Sequence, residues 1–299
     1  MKKKAAAIGT FDGVHRGHQT VLDHLKSIAV KRNLDAMAIT FSSHPLSVIN
    51  PKKCPEYINS LEEKTLLLEN SGVSTLVLEF NTQLQNTTAR EWLKRLNDEF
   101  NVEVLLIGYD TSFGSDCKSL TLDDYIQLGK DTGVEIMLAP YLPDTSSSAI
   151  RQAIRSGEIE NANRMLGRPY SIEGTVVEGN RLGRTIGFPT ANLLPAHNRL
   201  LPKDGVYEGE VTLPDGNTLP SMINIGKRPT VNNGTDRLIE IHILGWKGDL
   251  YHKKLTVKFF HRLRDEKKFE SLQDLKIQIQ RDKESITRLQ PVETIHPGK

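Results

Sequence analysis

Five short apolar runs, each separated from the next by a stretch of helical periodicity, restrict the first half of this chain more than any other feature. Residues 5–8, 36–41, 75–80, 102–107 and 134–139 are apolar over almost their whole length, as strands buried on both faces are. Between them, Val21, Leu22, Leu25, Ile28 and Ala29 repeat at helical spacing. Ser60 with Glu63 forms a capping box for a helix that Gly72 closes. Thr88 with Glu91 starts another helix, whose Trp92, Leu93, Leu96 and Phe100 make one apolar face. A helix over 123–132 stops at Gly133. Strands alternating with capped helices predict a doubly wound parallel sheet, an α/β domain with helices on both faces.

The pattern changes near Arg168. A short helix over 158–166 is broken by Gly167-Arg168-Pro169, and strands then follow alone. They span 170–177, 206–213, 219–225, 238–244 and 255–260, with Pro214-Asp215-Gly216-Asn217 as a hairpin turn. This predicts a small antiparallel β-barrel, closed by a helix over 271–289 that carries Leu272, Leu275, Ile279, Ile286 and Leu289 on one stripe. For 299 residues, two domains at 1–167 and 168–290 are expected, with 291–299 as a disordered tail. The formal charge of +2 gives no broad basic field for nucleic acid. Cys54 and Cys117 offer neither metal-ligand spacing nor a disulfide framework. No apolar run approaches a membrane span, and Lys2-Lys3-Lys4 is not followed by a signal-peptide core. The expectation is a soluble cytoplasmic protein with small-molecule partners, no nucleic acid and no membrane.

A doubly wound sheet keeps its chemistry in the loops at the carboxyl ends of its strands. The first such loop reads Gly9-Thr10-Phe11-Asp12-Gly13-Val14-His15-Arg16-Gly17-His18. Its glycines let backbone approach an anion, the helix start favours one, and His15 and His18 offer donors to phosphoryl oxygens. Taken singly, these features also fit a plain strand-to-helix turn with surface histidines. His44-Pro45 follows the second run, and Gly108-x-Asp110-x-x-Phe113-Gly114 follows the fourth. After the fifth comes Ser146-Ser147-Ser148-Ala149-Ile150-Arg151, where the serines cap a helix whose free N–H groups, with Arg151, face an incoming anion.

These loops resemble the nucleotidyltransferase superfamily, which transfers a nucleotide from ATP or CTP and releases pyrophosphate. They are closest to the amino-terminal domain of bacterial bifunctional riboflavin kinase/FMN adenylyltransferases, also called FAD synthetases. The resemblance implies that Gly9, Thr10, Phe11, Asp12, His15, Gly17, His18, His44, Asp110, Ser146, Ser147, Ser148 and Arg151 bind nucleotide. His15 and His18 would be catalytic donors while a phosphate oxygen of FMN attacks the α-phosphorus of ATP. Ser43 replaces a proline of the family pattern, and Thr111-Ser112 stand where Phe-Arg is usual.

The barrel opens with Gly174-x-Val176-x-x-Gly179-x-x-x-Gly183-Arg184-x-x-Gly187-Phe188-Pro189-Thr190-Ala191-Asn192. A glycine-rich stretch alone can serve turns and bulges, but leading into Phe-Pro-Thr-Ala-Asn it resembles the riboflavin kinase signature. The resemblance implies that Gly174, Gly179, Gly183, Arg184, Gly187, Pro189, Thr190 and Asn192 hold ATP, with Thr190 and Asn192 on Mg²⁺. In 239–243, isoleucines alternate with Glu240 and His242, which puts those two on the opposite face. With Gly248-Asp249-Leu250-Tyr251 behind it, this strand resembles the one that carries the kinase's general base. Glu240 is thus the implied base for the ribityl 5′-hydroxyl, and Glu240, Arg264 and Phe269 the implied flavin contacts. The resemblance runs from about Lys4 to Leu289. It implies that riboflavin and ATP give FMN, and that FMN and ATP give FAD and pyrophosphate, with Mg²⁺ as cofactor. Two alternatives stay open. One is a riboflavin kinase whose amino-terminal domain is degenerate or differently specific. The other is a flavin-binding regulator without turnover, against which Glu240, Thr190 and Asn192 together argue.

Overall fold

Each apolar run of the first half becomes a strand of one parallel sheet. The computed structural model describes residues 2–109, 112–179, 183, 186–227 and 237–288. The elements are β1 (Lys4–Ile8), α1 (Arg16–Arg32), β2 (Asp35–Phe41), α2 (Leu46–Ile49), α3 (Leu61–Asn70), β3 (Ser74–Leu78), α4 (Thr82–Asn86), α5 (Ala89–Phe100), β4 (Val102–Ile107), α6 (Leu122–Thr132), β5 (Glu135–Leu138) and α7 (Ser147–Ser156). The strand order is β3-β2-β1-β4-β5, so the winding turns back between β1 and β4, the place where such sheets hold ligands. On β1, Ala5 and Ala7 pack with Leu22 and Leu25 of α1 and Leu68 of α3. Ala6 and Ile8 face the other way, against Trp92, Leu93 and Leu96 of α5 and Tyr125 of α6. The capping boxes at Ser60 and Thr88 both form, and Gly133 ends α6 at φ 77°, a left-handed cap that glycine adopts at no steric cost.

The second half follows as α8 (Ile159–Leu166), β6 (Tyr170–Val177), β7 (Ala191–Pro195), β8 (Gly205–Thr212), β9 (Thr218–Lys227), β10 (Arg237–Ile243), β11 (Lys254–Arg264) and α9 (Leu272–Arg288). Its strands close into a barrel in the order β10-β7-β6-β11-β8-β9. Ile172, Leu193, Tyr207, Ile223, Ile239 and Phe259 are completely buried and form its interior. On the outer face, Val206 and Met222 meet Ile286 of α9.

The structure departs from the sequence expectations in two places. Ala191–Pro195, where the sequence pattern assigned no strand, is strand β7, paired with both β6 and β10. β11 extends to Arg264 instead of ending near Phe260. The chain divides into the compact units Met1–Ala149 and Ile150–Lys299. In the second unit, α8 packs on the barrel strands β6 and β11. Asn163 donates its side-chain N–H to Phe259 O at 2.8 Å and accepts from Tyr170 N–H at 2.6 Å, and Ile159, Ala162 and Leu166 are buried. The expected tail at 291–299 and Leu289 lie outside the described residues. Among the described residues, no helix is long and apolar enough to cross a membrane.

Two candidate active sites

The loop leaving β1 enters the sheet's turning point in an unusual backbone conformation. Phe11, Gly13 and Val14 have φ of 48°, 88° and 36°. A positive φ is costly for phenylalanine and more so for a β-branched valine. Both side chains are buried, so packing holds the strain. The loop delivers His15 as the N-cap of α1, where its Nδ1 accepts from His18 N–H at 3.4 Å. That bond assigns the proton of the neutral ring to Nε2. The two imidazoles stack with centroids 3.6 Å apart, and Phe11 meets His18 edge-on at 5.2 Å. Gly17 makes this possible, since a Cβ there would lie 3.1 Å from His15 Cε1. Gly9 lies against the Phe11 ring, 3.5 Å from a Cβ placed there.

His44, after β2, is set in the same way. Its Nδ1 accepts from Leu46 N–H at 3.1 Å, and its own backbone N–H donates to Tyr57 Oη at 3.0 Å. At the start of α7, Ser146 Oγ caps Ala149 N–H at 3.1 Å, and Ser147 Oγ donates to Asp12 O at 2.8 Å. These serines build the helix start and tie it to the loop after β1, leaving the first-turn N–H groups as what the helix offers an anion. Ser148 is exposed there, and Arg151 is buried in the same helix. Ser43 lines an open cavity of about 630 Å³ with Ser42, Val77, Glu79, Phe80 and Thr82, at the ends of β2 and β3. Ser112 is exposed, while Asp110, Thr111 and Arg184 lie outside the described residues.

Asp12 turns toward the protein. Its carboxylate is buried and accepts from Ile58 N–H at 3.0 Å and Asn59 N–H at 3.2 Å. Beside it is a cation absent from the sequence expectations. Lys64 of α3 is 9% exposed, and its Nζ donates to Thr10 O at 3.1 Å and Phe41 O at 2.8 Å. Burial lowers its pKa to about 8, with the charge of Asp12 opposing the shift. The available signal was a lysine one helical turn from Leu68 on the buried stripe of α3.

In the barrel, strand register brings together residues of the second candidate site. Asn192 of β7 lies opposite Glu240 of β10, Glu240 opposite Asn224, Asn224 opposite Val206, and Val206 opposite Arg264. Ile239 and Ile241 fill the interior, so Glu240 and Asn192 share the outer face of this row. A Cβ on Gly179 would overlap Asn192 Nδ2, and one on Gly183 would overlap Phe188 O. Gly187 is at φ 87°, and Pro189 and Thr190 are exposed beside it. Gly174 serves the barrel itself, lying against the backbone of Leu194. Asn192 is buried, and its Oδ1 has no hydrogen-bond partner among the described residues. His242 donates Nδ1–H to Pro189 O at 2.8 Å and meets Phe188 edge-on at 5.4 Å. Burial lowers its pKa, with the bond to Pro189 O opposing the shift. His242 therefore pins the Phe188–Thr190 segment to β10, a role its spacing alone did not reveal.

Arg264 is held by the closing helix. Its Nε donates to Asp282 at 2.9 Å and 3.2 Å, and its guanidinium lies 5.9 Å from the Phe269 ring. Glu266 lies over Gly226, next to Asn224 on β9. Burial raises its pKa, and the charges of Asp204 and Glu240 push the same way. Glu240 thus faces an acidic neighbour across the barrel surface.

Comparison with known proteins places both halves. The riboflavin kinase family matches residues 166–290, and the FAD synthetase family matches residues 1–151. The bifunctional riboflavin kinase/FMN adenylyltransferase of Haemophilus influenzae is 36% identical over 289 residues, covering 94% of this chain and 92% of that protein. Its counterpart from Escherichia coli K12 is 37% identical over 284 residues, covering 92% and 89%. A crystal structure from Streptococcus pneumoniae, described as a macrolide-efflux protein, has a TM-score of 0.86 at 31% identity and covers 97% of this chain and 96% of its own. With both family matches in order and relatives aligned nearly end to end, the chain belongs to the bifunctional riboflavin kinase/FMN adenylyltransferase family.

Proposed function

We propose that the chain phosphorylates riboflavin with ATP to give FMN, and adenylylates FMN with a second ATP to give FAD and pyrophosphate. The observation that carries this is the cross-strand pairing of Glu240 with Asn192, in a chain whose other unit holds a histidine-capped helix at a sheet's turning point. In the kinase site, Glu240 takes the proton of the ribityl 5′-hydroxyl as that oxygen attacks the γ-phosphorus. Gly179, Gly183, Arg184, Gly187 and Pro189 surround the triphosphate, and Arg264 and Phe269 border the flavin. Thr190 and Asn192 supply hard oxygens, and the buried Oδ1 of Asn192, without a partner among the described residues, suits Mg²⁺. That ion supplies charge neutralisation on the transferring phosphoryl group.

In the adenylyltransferase site, His15 and His18 donate to phosphoryl oxygens as charge moves onto the leaving pyrophosphate. The α7 start at Ser146–Ser148 with Arg151 holds the pyrophosphate end, and Gly9, Thr10, Phe11, Asp12, Gly17, His44 and Asp110 shape the nucleotide site. No covalent enzyme intermediate is needed. We assign adenylyl transfer to 1–167 and phosphorylation to 168–290, in a cytoplasmic enzyme acting on small molecules.

The test supplies riboflavin, ATP and Mg²⁺ to the pure protein and follows FMN and FAD separately. Glu240→Gln keeps size but removes basicity, so FMN formation falls by roughly 10²–10⁴, while FAD formation from supplied FMN survives. Phosphorylation within a few-fold of wild type would remove Glu240 from this role. A wild-type protein that makes FMN but no FAD would reduce the first unit to a nucleotide-binding domain.

A further inference from the structure

Lys64 carries a buried charge for which packing alone gives no reason. An ammonium taken out of water is costly unless it is paired and hydrogen-bonded, and leucine or methionine would fill the same stripe of α3. What the ammonium reaches is specific. Phe41 O is the last carbonyl of β2, and Thr10 O lies just past β1. These are the points where the two strands release the loops bearing His44 and His15. Thr10 O also accepts from Thr40 Oγ1 at 3.1 Å, so two donors orient the peptide that precedes Phe11 at φ 48°. Asp12, the charge acting on Lys64, is anchored in turn to the segment leading into α3.

We propose that Lys64 is a positioning residue of the adenylyltransferase centre: its buried ammonium clamps the loop after β1 to the end of β2, so that His15 and His44 address one nucleotide. This rests on the adenylyltransferase reading of the first unit. Lys64 touches no substrate and acts through the Thr10 and Phe41 carbonyls. Losing the clamp leaves the strained loop to relax, and small misplacements of phosphate donors are expensive in rate.

The experiment measures FAD formation from supplied FMN, with riboflavin phosphorylation in the same preparation as control. Lys64→Met keeps the apolar stem and removes charge and donors. The expected result is a fall of roughly 10²-fold in kcat for adenylylation, with KM for ATP little changed and phosphorylation unaffected. A role in packing alone would instead lower the folded fraction and leave the rate per folded molecule intact. The pH profile supplies a second readout. Lys64 loses its proton near pH 8, so wild-type adenylylation falls on the alkaline side. The groups facing Lys64 are the Asp12 carboxylate and, beyond it, the Tyr57 phenol, which burial holds above its ordinary value. Lys64→Arg stays charged and flattens that limb. Should Lys64→Met fail to fold, the Arg profile decides, and an unmoved alkaline limb overturns the proposal. Adenylylation by Lys64→Met within about threefold of wild type, well short of the loss expected, also overturns it while leaving the adenylyltransferase reading intact. A wild type that makes FMN but no FAD sinks both.

Discussion

His15 and His18 lie with ring centroids 3.6 Å apart, and the cap of α1 consumes one nitrogen of His15. What remains is a compact pair of imidazoles at the amino end of a helix, suited to charge that develops on phosphate during transfer. His18→Ala removes one such donor, which typically costs about 2.7–4 kcal/mol, or roughly 10²–10³ in rate. FAD formation should fall by that factor and phosphorylation should not, so FMN accumulates when riboflavin is supplied. Equal rates of FAD formation in variant and wild type would leave the fold standing and remove His18 from the chemistry. These histidines were legible in the sequence because they stand at fixed spacing directly behind a buried strand. Lys64 and His242 were not, because each works on a backbone carbonyl distant in sequence, and such a contact leaves no local pattern. Asp12 was singled out by its place in the first loop, but its bonds to Ile58 and Asn59 N–H depend on a segment that only the fold brings near.

At the scale of elements, period and caps carried most of the information. β4 and β6 span the residues expected of them, and the helix starts at Ser60 and Thr88 are the capping boxes that the spacing predicts. β7 was hidden because five residues ending in proline give too little alternation to separate a strand from a loop. The outer face of the barrel hides a further cost. Glu208 of β8 is 8% exposed and lies opposite Met222, and its Oε2 has no hydrogen-bond partner among the described residues. Burial raises its pKa, with His261 opposing the shift. The native state therefore binds this proton more tightly than the unfolded chain does. Stability falls as pH rises from the ordinary glutamate range through the raised value, and the deficit persists above it. Glu208→Gln should remove that slope and stabilise the barrel at neutral pH, by an amount on the order of 1–3 kcal/mol if the whole cost of an unsatisfied buried group is relieved. Thermal unfolding of both proteins from mildly acid to neutral pH measures it, and parallel curves would show that water or a neighbour already satisfies the carboxylate.

For the whole molecule, the sequence showed two units clearly, through the change from alternating strands and helices to strands alone. The change falls after one more helix, and an amphipathic helix reads the same whether it covers a sheet or a barrel. The helix in question is α8. Ile159 and Leu166 are 0% and 1% exposed, and each fully buried side chain of that kind contributes about 1.5–3 kcal/mol. Asn163 adds bonds to Phe259 O and Tyr170 N–H, and Lys203 N–H donates to Ile154 O at 3.1 Å, so the end of α7 is bound in as well. A fragment of residues 150–299 should therefore fold and phosphorylate riboflavin without the first unit, since a domain carries its own core. A fragment of 167–299 retains every kinase motif but exposes the surface that α8 covers, and should unfold at lower denaturant concentration or aggregate. Denaturation midpoints and FMN formation by the two fragments decide the matter. Equal midpoints would mean that α8 adds nothing to the barrel's stability. A folded but inactive 150–299 would mean that the Glu240 site needs residues from the first unit, which the pairing of Glu240 with Asn192 gives no reason to expect.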